Sequence, residues 1–503
     1  MASLNPDRSE WDVIVVGGAA AGENAAQYAT QFSGLEAVIV EKELVGGECS
    51  YWACMPSKSL LRPVEMLSAA RDLPGVKELL NGRRMDAAAV LARRDTVVNH
   101  LDDASQVKWA LDTGIDVIRG AGRLTGERTV AVRGADGAER TITARHAVVL
   151  DTGSSPLIAD VPGLREARPW TSRDVTNIHE IPDRVVVVGG GVVACEAVTW
   201  LHGLGVAELT IVGRAPGLLG RNEPFAGDLV QAGFAEAGVT VLLGEQVTRV
   251  ERAHVNAAGI GLVHGGPVTV TLGGGGVLTA DEIVVATGRV PNSTGIGLES
   301  VGLEGGGPVH VDDHLTVEGV PGEWLYAIGD LCGRALLTHV AKYQARIAGE
   351  VIAARAAGRP LDDAPFNPYT DIVHPGHVPQ VTFTDPEIGS VGITEAQARD
   401  SGLEVETVEY DLAQLAGTYV LRDHYVGRAK LVIDSRADVL LGVTFVGTGV
   451  AELTHSATMA VLARIPIPVL RHVVPSYPTI SEVWLRLLES LNSTRRRSPS
   501  VST

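Results

Sequence analysis

Cysteine is scarce in this sequence, which excludes one class of protein. The 503 residues contain four cysteines, too few for the disulfide framework of a small secreted domain. Aromatic residues make up only 4% of the chain, whereas glycine occurs 58 times. Glycine supplies the tight turns that connect strands to helices, so this composition is typical of an α/β protein.

Basic residues and long apolar runs are also few. The chain has 42 Lys and Arg against 60 Asp and Glu, and its net charge of −18 argues against a nucleic-acid surface. The longest apolar run, 185–195, is too short for a membrane span. The N-terminus lacks the basic and apolar stretches of a signal peptide. We therefore expect a cytoplasmic enzyme that binds neither nucleic acid nor membrane.

Two of the cysteines, Cys49 and Cys54, lie close together in the segment 46–58 (GGECSYWACMPSK). Pro56 suits the first turn of a helix, because its missing N–H would have no partner there. Cys54 is therefore predicted near a helix N-terminus, where the helix dipole and Lys58 one turn later favour a thiolate. The spacing alone also allows two buried structural cysteines. The motifs that accompany the pair favour a reactive dithiol.

A nucleotide-binding motif follows a predicted buried strand at 11–16. The turn at 17–22 (GGAAAG) leads into a predicted helix, so backbone N–H groups and a helix N-terminus can approach a pyrophosphate. Ala19 replaces the middle glycine of the usual pattern. A second strand ends at a carboxylate that is correctly spaced to bind the hydroxyls of an unphosphorylated ribose. The residues assigned to this site are Gly17, Gly18, Ala21, Gly22 and Glu41.

A second copy of this motif, with Gly189 and Gly191 in its turn, follows another valine-rich strand. In the first copy the acid lies 24 residues after the first glycine, and at that spacing the second copy has Gly213 and no carboxylate. Arg214 and Arg221 follow, and guanidinium groups suit a 2′-phosphate. We therefore predict NADPH rather than NADH, the alternative being that both arginines are solvated surface charges.

Two nucleotide sites beside a dithiol predict an electron relay. A nicotinamide would supply hydride, and a flavin is the natural carrier between hydride and sulfur.

In their order along residues 10–490, these motifs resemble the pyridine nucleotide–disulfide oxidoreductases. Three more segments carry the resemblance: 286–292 (ATGRVPN), 326–330 (YAIGD) and 383–388 (FTDPEI). It implies a homodimer of α/β fold, with two Rossmann-like dinucleotide-binding domains and an α+β C-terminal dimerisation domain. The implied boundaries are 10–160 and 286–362 for the two parts of the FAD-binding domain, 161–285 for the NAD(P)-binding domain, 363–492 for the dimerisation domain and 493–503 for a disordered tail.

The resemblance also implies roles for single residues. Cys54 would face the flavin, and Cys49 would meet the acceptor. Lys58 and Glu196 would form an ion pair beside the flavin, and Asp330 would bind the ribityl chain of FAD. No resident metal is implied. The other implied cofactor contacts are Gly47, Gly122, Thr152, Gly153, Gly288, Arg289, Gly329, Leu337, Thr338 and His339.

One departure from the family concerns a catalytic histidine. The disulfide reductases carry a His, then a Pro, with a Glu five residues after the His. Here Glu482 is present, but Tyr477 stands at the histidine position. A histidine can exchange a thiol proton at neutral pH, whereas tyrosine is a poor base that can still donate a hydrogen bond. Tyr477 therefore argues against ordinary lipoamide or glutathione turnover, unless His339, His374 or His472 serves as the base.

The resemblance leaves alternative functions open. In each enzymatic reading, electrons from NADPH (NADH is also possible) reach a redox-active Cys49–Cys54 disulfide through FAD, and Tyr477 and Glu482 of the partner subunit shape the acceptor site. The first reading is a dihydrolipoamide dehydrogenase-like enzyme or a disulfide reductase. The second is a metal-ion or quinone reductase, and a third is a flavoprotein component or binding partner with little turnover.

Two features bear on the second reading. Mercuric reductases also have Tyr near this position, but they carry a C-terminal cysteine pair, whereas the last cysteine here is Cys332. Tyr51 and Trp52 lie between the two reactive cysteines. Their rings are suited either to stack on a flat acceptor such as a quinone or to pack the turn.

Overall fold

The computed structural model describes residues 8–256, 259–362, 364–373 and 376–497. They fall into two compact units. Unit 1 is drawn from 1–56, 95–157 and 288–374, and unit 2 from 57–94, 158–287 and 375–503.

The strands, in chain order, are β1 (Glu10–Val16), β2 (Ala37–Glu41), β3 (Asp116–Arg119), β4 (Ala121–Gly126), β5 (Thr129–Arg133), β6 (Glu139–Leu150), β7 (Ser154–Pro156), β8 (Arg184–Val188), β9 (Glu208–Gly213), β10 (Thr240–Leu243), β11 (Val247–Arg252), β12 (Val268–Leu272), β13 (Val277–Ala280), β14 (Glu282–Val285), β15 (Arg289–Pro291), β16 (Leu325–Ala327), β17 (Gln380–Thr382), β18 (Glu387–Gly392), β19 (Val405–Asp411), β20 (Arg428–Asp434) and β21 (Val439–Gly447).

The α-helices are α1 (Ala20–Thr30), α2 (Gly47–Tyr51), α3 (Cys54–Arg71), α4 (Lys77–Leu80), α5 (Ala87–Val97), α6 (Ala104–Asp112), α7 (Ser172–Thr176), α8 (Val192–Leu204), α9 (Pro224–Glu236), α10 (Thr338–Ala356), α11 (Glu395–Asp400), α12 (Ala416–Leu421), α13 (Leu453–Leu462), α14 (Ile467–Leu470) and α15 (Val483–Arg497). Short 3₁₀ helices lie at Asn99–Leu101, Leu298–Val301, Gly329–Cys332, Leu412–Gln414 and Ile480–Glu482.

Unit 1 is built on a sheet in the order β3-β2-β1-β6-β5-β4, and β16 also pairs with β6. Strands β1, β2, β6 and β16 run parallel, so their carboxyl ends share one edge. Val16, the last residue of β1, pairs with Val40 of β2 and with Leu150 of β6. The nucleotide-binding turn and the segments that follow β6 and β16 therefore meet at that edge, where open α/β sheets bind ligands.

The described residues of unit 2 form three sheets. Strands β10-β9-β8-β14 form a parallel sheet, β11-β12-β13 an antiparallel sheet, and β17-β18-β21-β20-β19 a five-stranded antiparallel sheet that packs against α13 and α15. In the parallel sheet, Val188 pairs with Val212 and with Val285. The second nucleotide-binding turn and Arg214 thus follow neighbouring strand ends. These sheets confirm the predicted fold class, while the domain boundaries stay a prediction.

The predicted disordered tail is wrong at its beginning. Residues 493–497 belong to α15, because Leu487, Leu488 and Leu491 keep one face of this helix buried. Arg495 donates hydrogen bonds of 2.8 Å to Glu406 and 2.8 Å to Asp438. Basic side chains in a last helical turn are also favoured by the helix dipole. Residues 498–503 lie outside the described part of the chain.

None of the helices among the described residues has the length and apolarity that crossing a membrane requires.

Glu387, the first residue of β18, gives a prediction about stability. Burial, more than the nearby Glu65, raises the pKa of Glu387 from 4.5 to about 7. Between these values the folded protein holds a proton that the unfolded chain releases, so stability falls as pH rises from about 4.5 to 7. Glu387→Gln, which mimics the protonated acid, is expected to raise the free energy of unfolding by about 2–3 kcal/mol at pH 8.

Urea unfolding at pH 4.5 and pH 8, at one protein concentration, measures this effect. The increase in the free energy of unfolding caused by Glu387→Gln should vanish at pH 4.5. Glu236→Gln, at an exposed position, is the control and should cause no increase at either pH. An equal gain from Glu387→Gln at both pH values would contradict the assignment.

Candidate active site

The dithiol is assembled from two consecutive helices. Cys49 lies in α2, and Cys54 is the first residue of α3, with Pro56 in the first turn as predicted. Both residues are half-buried thiols that are not joined in a disulfide, and their side chains hydrogen-bond to each other. This hydrogen bond, followed by burial, raises the pKa of Cys49. The raised pKa favours the protonated thiol of Cys49 over the thiolate.

The N-terminus of α10 adds positive potential at the dithiol. Thr338 is the first residue of α10, and its Oγ1 lies 3.3 Å from Cys54 Sγ. Lys342, one turn further along, acts to lower the pKa of Cys49, but its effect is smaller than those of the Cys54 hydrogen bond and of burial, which raise it. The helix dipole and this ammonium group both stabilise negative charge on sulfur. Thr338 was assigned from the sequence, whereas Lys342 was missed, although its position four residues after Thr338 on one helix was a usable signal.

The turn between the cysteines is held by buried aromatic rings. Tyr51 is 1% exposed and Trp52 is 6% exposed, and the two rings meet edge-to-face at 5.7 Å. Tyr51 donates a hydrogen bond of 3.2 Å to the carbonyl of Val45, whose N–H donates one of 2.7 Å to Asp103. Arg119 forms an ion pair with the same carboxylate. The rings thus pack the turn, which leaves no exposed face for stacking on an acceptor.

The first nucleotide-binding turn depends on close backbone approach. Gly17 has a φ of +106°, and a Cβ there would lie 2.0 Å from the carbonyl oxygen of Asp151. A Cβ on Gly22 would lie 2.1 Å from the Gly17 carbonyl oxygen, and the Gly22 N–H donates 2.6 Å to the Asp151 carboxylate. Ala19 tolerates its methyl group because it packs on Gly47, where a Cβ would come within 2.6 Å. This contact explains why position 47 is a glycine when position 19 is an alanine: there is room for only one of the two side chains.

The residues around this turn fit FAD. Ala19 caps α1 without a side-chain oxygen, so the N–H groups of Ala20 and Ala21 in the first turn are available to a phosphate, whereas that of Gly22 is bound to Asp151. Glu41 is buried at the end of β2, where its two oxygens accept hydrogen bonds of 2.7 Å from Gly18 N and 2.7 Å from Glu43 N. Each oxygen can accept a further hydrogen bond from a ribose hydroxyl.

Glu23, in the first turn of α1, was missed by the sequence reasoning. Its Oε1 is buried and has no hydrogen-bond partner among the described residues. Burial raises the pKa of Glu23 to about 7, and Lys342 partly opposes the rise. A buried polar oxygen without a partner is unusual in a folded protein and is consistent with a site that a ligand completes.

The predicted segments after β6, at β15 and after β16 converge on Asp330. Ser154 Oγ donates a hydrogen bond to the Asp330 carboxylate, and Arg289 donates 2.6 Å to Ser154 Oγ and 2.7 Å to its carbonyl. The Arg289 guanidinium also lies 3.7 Å from Asp330 and 3.7 Å from Glu48. Burial raises the pKa of Asp330. Ser154 and Glu48 join this cluster without having been assigned from sequence.

The remaining cofactor assignments in unit 1 fall into two groups. Thr152 Oγ1 donates a hydrogen bond of 2.8 Å to the carbonyl of Asn292, and the Asn292 N–H donates one of 2.9 Å to the carbonyl of Gly153, so segments 152–153 and 288–292 are in contact. Gly122 lies in β4, where a Cβ would come within 3.0 Å of Val16, so its visible role is close packing. The other residues assigned to the cofactor lie as follows. Ala21 is buried in α1, Gly288 has a φ of +142°, and the N–H of Gly329 donates a hydrogen bond to Gln344. Leu337 is the N-cap of α10, and His339 is exposed in that helix.

The second nucleotide-binding turn lies in unit 2. Gly189 has a φ of +137°, and a Cβ there would lie 2.4 Å from the Ala286 carbonyl oxygen. A Cβ on Gly191, the N-cap of α8, would meet no atom within 4 Å. Strand β9 ends at Gly213. Arg214 and Arg221 are exposed, and neither has an ion-pair partner among the described residues. Both guanidinium groups are therefore free to meet an anion.

Lys58 and Glu196 form an ion pair in unit 2. Lys58 Nζ lies 2.7 Å from Glu196 Oε2, and the Glu196 side chain is only 5% exposed. The other carboxylate oxygen, Oε1, accepts a hydrogen bond of 3.0 Å from the N–H of Phe383. The placement of this pair beside a flavin stays a prediction.

The C-terminal motif presents an exposed tyrosine and a buried acid. Tyr477 is 74% exposed, and His472 is also exposed. Glu482 is buried, with Oε1 2.6 Å from Arg486 and with no partner for Oε2 among the described residues. The third candidate base, His374, lies outside the described residues. Within the described ranges, no group of three or more His, Cys, Asp or Glu is arranged to hold a metal ion.

Two dinucleotide-binding turns and a dithiol on one chain define a class of protein that sequence comparison identifies. The family model for pyridine nucleotide-disulphide oxidoreductases matches residues 11–345, and the model for the dimerisation domain of the same family matches 378–487. The chain therefore belongs to this family. It is an FAD-dependent disulfide oxidoreductase of the lipoamide dehydrogenase and mercuric reductase kind that also uses a nicotinamide cofactor, and its dimerisation domain indicates a homodimer.

Individual relatives include enzymes with different substrates. The chain is 30% identical to a mercuric reductase from Bacillus cereus, covering 95% of this chain and 71% of that protein. It is also 30% identical to a dihydrolipoyl dehydrogenase from Chlorobaculum tepidum, covering 94% and 95%.

Two solved structures share the fold. The HOCl-induced flavoprotein disulfide reductase RclA from Escherichia coli superposes with a TM-score of 0.78 at 22% identity, covering 95% of this chain and 99% of that one. LpdA from Mycobacterium tuberculosis gives a TM-score of 0.78 at 24% identity, covering 96% and 99%.

Proposed function

We propose that NADPH reduces a Cys49–Cys54 disulfide by way of bound FAD, and that the resulting dithiol reduces a small acceptor. The observation that carries this proposal is the hydrogen-bonded thiol pair at the N-terminus of α10. NADPH and a proton would yield NADP⁺ and the two thiols. A disulfide acceptor would then leave as two thiols while the Cys49–Cys54 bond forms again.

Bound FAD would supply the carrier that takes two electrons from the nicotinamide and passes them to sulfur. Gly17 and the N-terminus of α1 would hold its pyrophosphate, Glu41 its ribose and Asp330 its ribityl chain. Arg214 and Arg221 would hold the 2′-phosphate of NADPH, since no carboxylate follows β9 at the ribose position. The domain boundaries predicted from the sequence within residues 10–492 and a cytoplasmic location belong to the same proposal.

The acceptor must be compatible with the proton on Cys49. Because the pKa of Cys49 is raised, attack on a disulfide requires a base, and Tyr477 is a poor one. A low-molecular-weight disulfide is the first candidate acceptor. A metal ion or a quinone is the second, and the tyrosine at the histidine position specifically favours it.

Thiol labelling tests the relay without knowledge of the acceptor. The holoenzyme is alkylated anaerobically before and after NADPH is added, and the labelled peptides are identified by mass spectrometry. Two new labels, on Cys49 and Cys54, are expected in air-oxidised protein after reduction. Unchanged labelling of both positions would overturn the proposal.

Tyr477→His should reveal a latent disulfide reductase. A histidine supplies the base that Cys49 needs, so turnover of lipoamide or glutathione disulfide is expected to rise by about 10²-fold. Steady-state NADPH oxidation with each acceptor measures the gain. Tyr477→Phe is the matched control: it keeps the aromatic ring of tyrosine but introduces no base, so it should not increase disulfide turnover. If Tyr477→His also gives none with any disulfide, the missing base is not what limits these acceptors.

A further inference from the structure

Phe383 contacts both members of the Lys58–Glu196 ion pair. Its N–H donates a hydrogen bond of 3.0 Å to Glu196 Oε1, and its ring centroid lies 4.9 Å from Lys58 Nζ. The two charged groups are 2.7 Å apart. All three residues belong to unit 2. One residue thus orients the carboxylate through its backbone and the ammonium group through its ring.

The ring is needed because the two charged side chains are held unequally. Glu196 is 5% exposed, and each of its oxygens has its own donor, whereas the Lys58 side chain is 38% exposed. A lysine head on a flexible four-carbon chain moves readily in water. An aromatic face within about 6 Å attracts an ammonium group and occupies the space through which it would swing.

We propose that Phe383 is a positioning residue that fixes the ammonium group of Lys58. The proposal rests on the proposed function, in which Lys58 lies beside the flavin. A fixed positive charge there stabilises the electron-rich reduced form, so loss of the ring should make flavin reduction slower and its midpoint potential more negative. The first residue of the FTDPEI segment thereby acquires a role in electron transfer.

Substitution separates the contributions of ring and backbone. The hydrogen bond to Glu196 comes from the main chain and survives in Phe383→Leu and Phe383→Tyr, whereas only the tyrosine keeps an aromatic face. Phe383→Met provides a second variant without a ring in case the leucine variant binds FAD poorly. Lys58→Gln, alone and combined with Phe383→Leu, shows whether the ring acts through the ammonium group.

Two measurements on the holoenzyme test the proposal. Competitive acetylation with mass spectrometry reports the accessibility of Lys58 irrespective of the flavin, and spectroelectrochemistry with anaerobic stopped-flow gives the flavin potential and the rate of its reduction by NADPH. In Phe383→Leu, acetylation of Lys58 should rise several-fold, flavin reduction should slow about tenfold, and the potential should fall. Phe383→Tyr should stay within twofold of the wild type, and Phe383→Leu should add nothing in the Lys58→Gln background.

The outcomes distinguish failure of this inference from failure of the proposed function. Unchanged acetylation of Lys58 in both the leucine and methionine variants would overturn the positioning role. Increased acetylation with an unchanged flavin potential would show that Phe383 holds Lys58 but that Lys58 does not lie beside the flavin, which contradicts the proposed site. A slower flavin reduction that persists in the Lys58→Gln background would show that the ring acts by another route.

Discussion

Cys54→Ser is expected to abolish the reduction of disulfide acceptors, lowering kcat by at least about 10³-fold. Exchange between dithiol and disulfide needs a second sulfur to complete the reaction, and a serine hydroxyl cannot form the protein disulfide again. Cys49→Ser should lose the same activity, because Cys49 is the thiol assigned to the acceptor. Steady-state NADPH oxidation with lipoamide and glutathione disulfide as acceptors measures both variants.

A third cysteine provides the control for this experiment. Cys195 is fully buried in α8, and burial raises the pKa of its thiol, so it is inert in the proposed reaction. Cys195→Ala should keep wild-type turnover. Disulfide reduction that survives in both Cys49→Ser and Cys54→Ser would show that the acceptor takes electrons elsewhere. Loss of activity in Cys195→Ala with FAD still bound would show that replacing any cysteine perturbs the structure enough to stop turnover, so that the assay does not single out the reactive thiols.

Arg214→Ala combined with Arg221→Ala is expected to lower kcat/KM for NADPH by about 10- to 100-fold while leaving the value for NADH within about twofold. Both guanidinium groups follow β9 and lack ion-pair partners among the described residues, so each is available to a phosphate. A charge-assisted hydrogen bond from arginine to phosphate is stronger than a neutral one. NADH has no 2′-phosphate and loses nothing when the arginines are removed.

The matched control is Arg249→Ala, an exposed arginine of unit 2 that is paired with Glu251 at 2.9 Å. It should change neither specificity constant. Similar kcat/KM values for NADH and NADPH in the wild type would contradict the predicted preference for NADPH. An unchanged NADPH value in the double variant would show that both arginines are surface charges.

The nucleotide-binding motifs could be predicted because their geometry is local. Strand, glycine turn and helix follow one another along the chain, and Gly17 and Gly189 adopt positive φ where the motif requires it. The start of α3 close to Cys54 follows in the same way from Pro56, which suits the first turn of a helix. Each of these features depends on residues within a few positions of one another.

The supporting contacts could not be predicted, because residues far apart in sequence make them. Asp103 holds the turn before the cysteines from 58 positions away, and Ser154 reaches Asp330 across 176 positions. The contact of Phe383 with Glu196 spans 187 positions. The environment of Tyr51 and Trp52 likewise depended on tertiary packing, which the spacing between cysteines does not reveal.

The most direct test of the electron relay is an anaerobic titration of the holoenzyme with NADPH, followed by absorbance. The relay predicts a long-wavelength charge-transfer band in the reduced wild type, a band that Cys54→Ser lacks and Cys195→Ala keeps. Rapid loss of the band on addition of a disulfide would identify a thiol reductase, and loss with only quinones or metal ions would favour the second acceptor class. If reduction bleaches the flavin without any such band, the dithiol does not exchange electrons with the flavin, and the central claim is wrong.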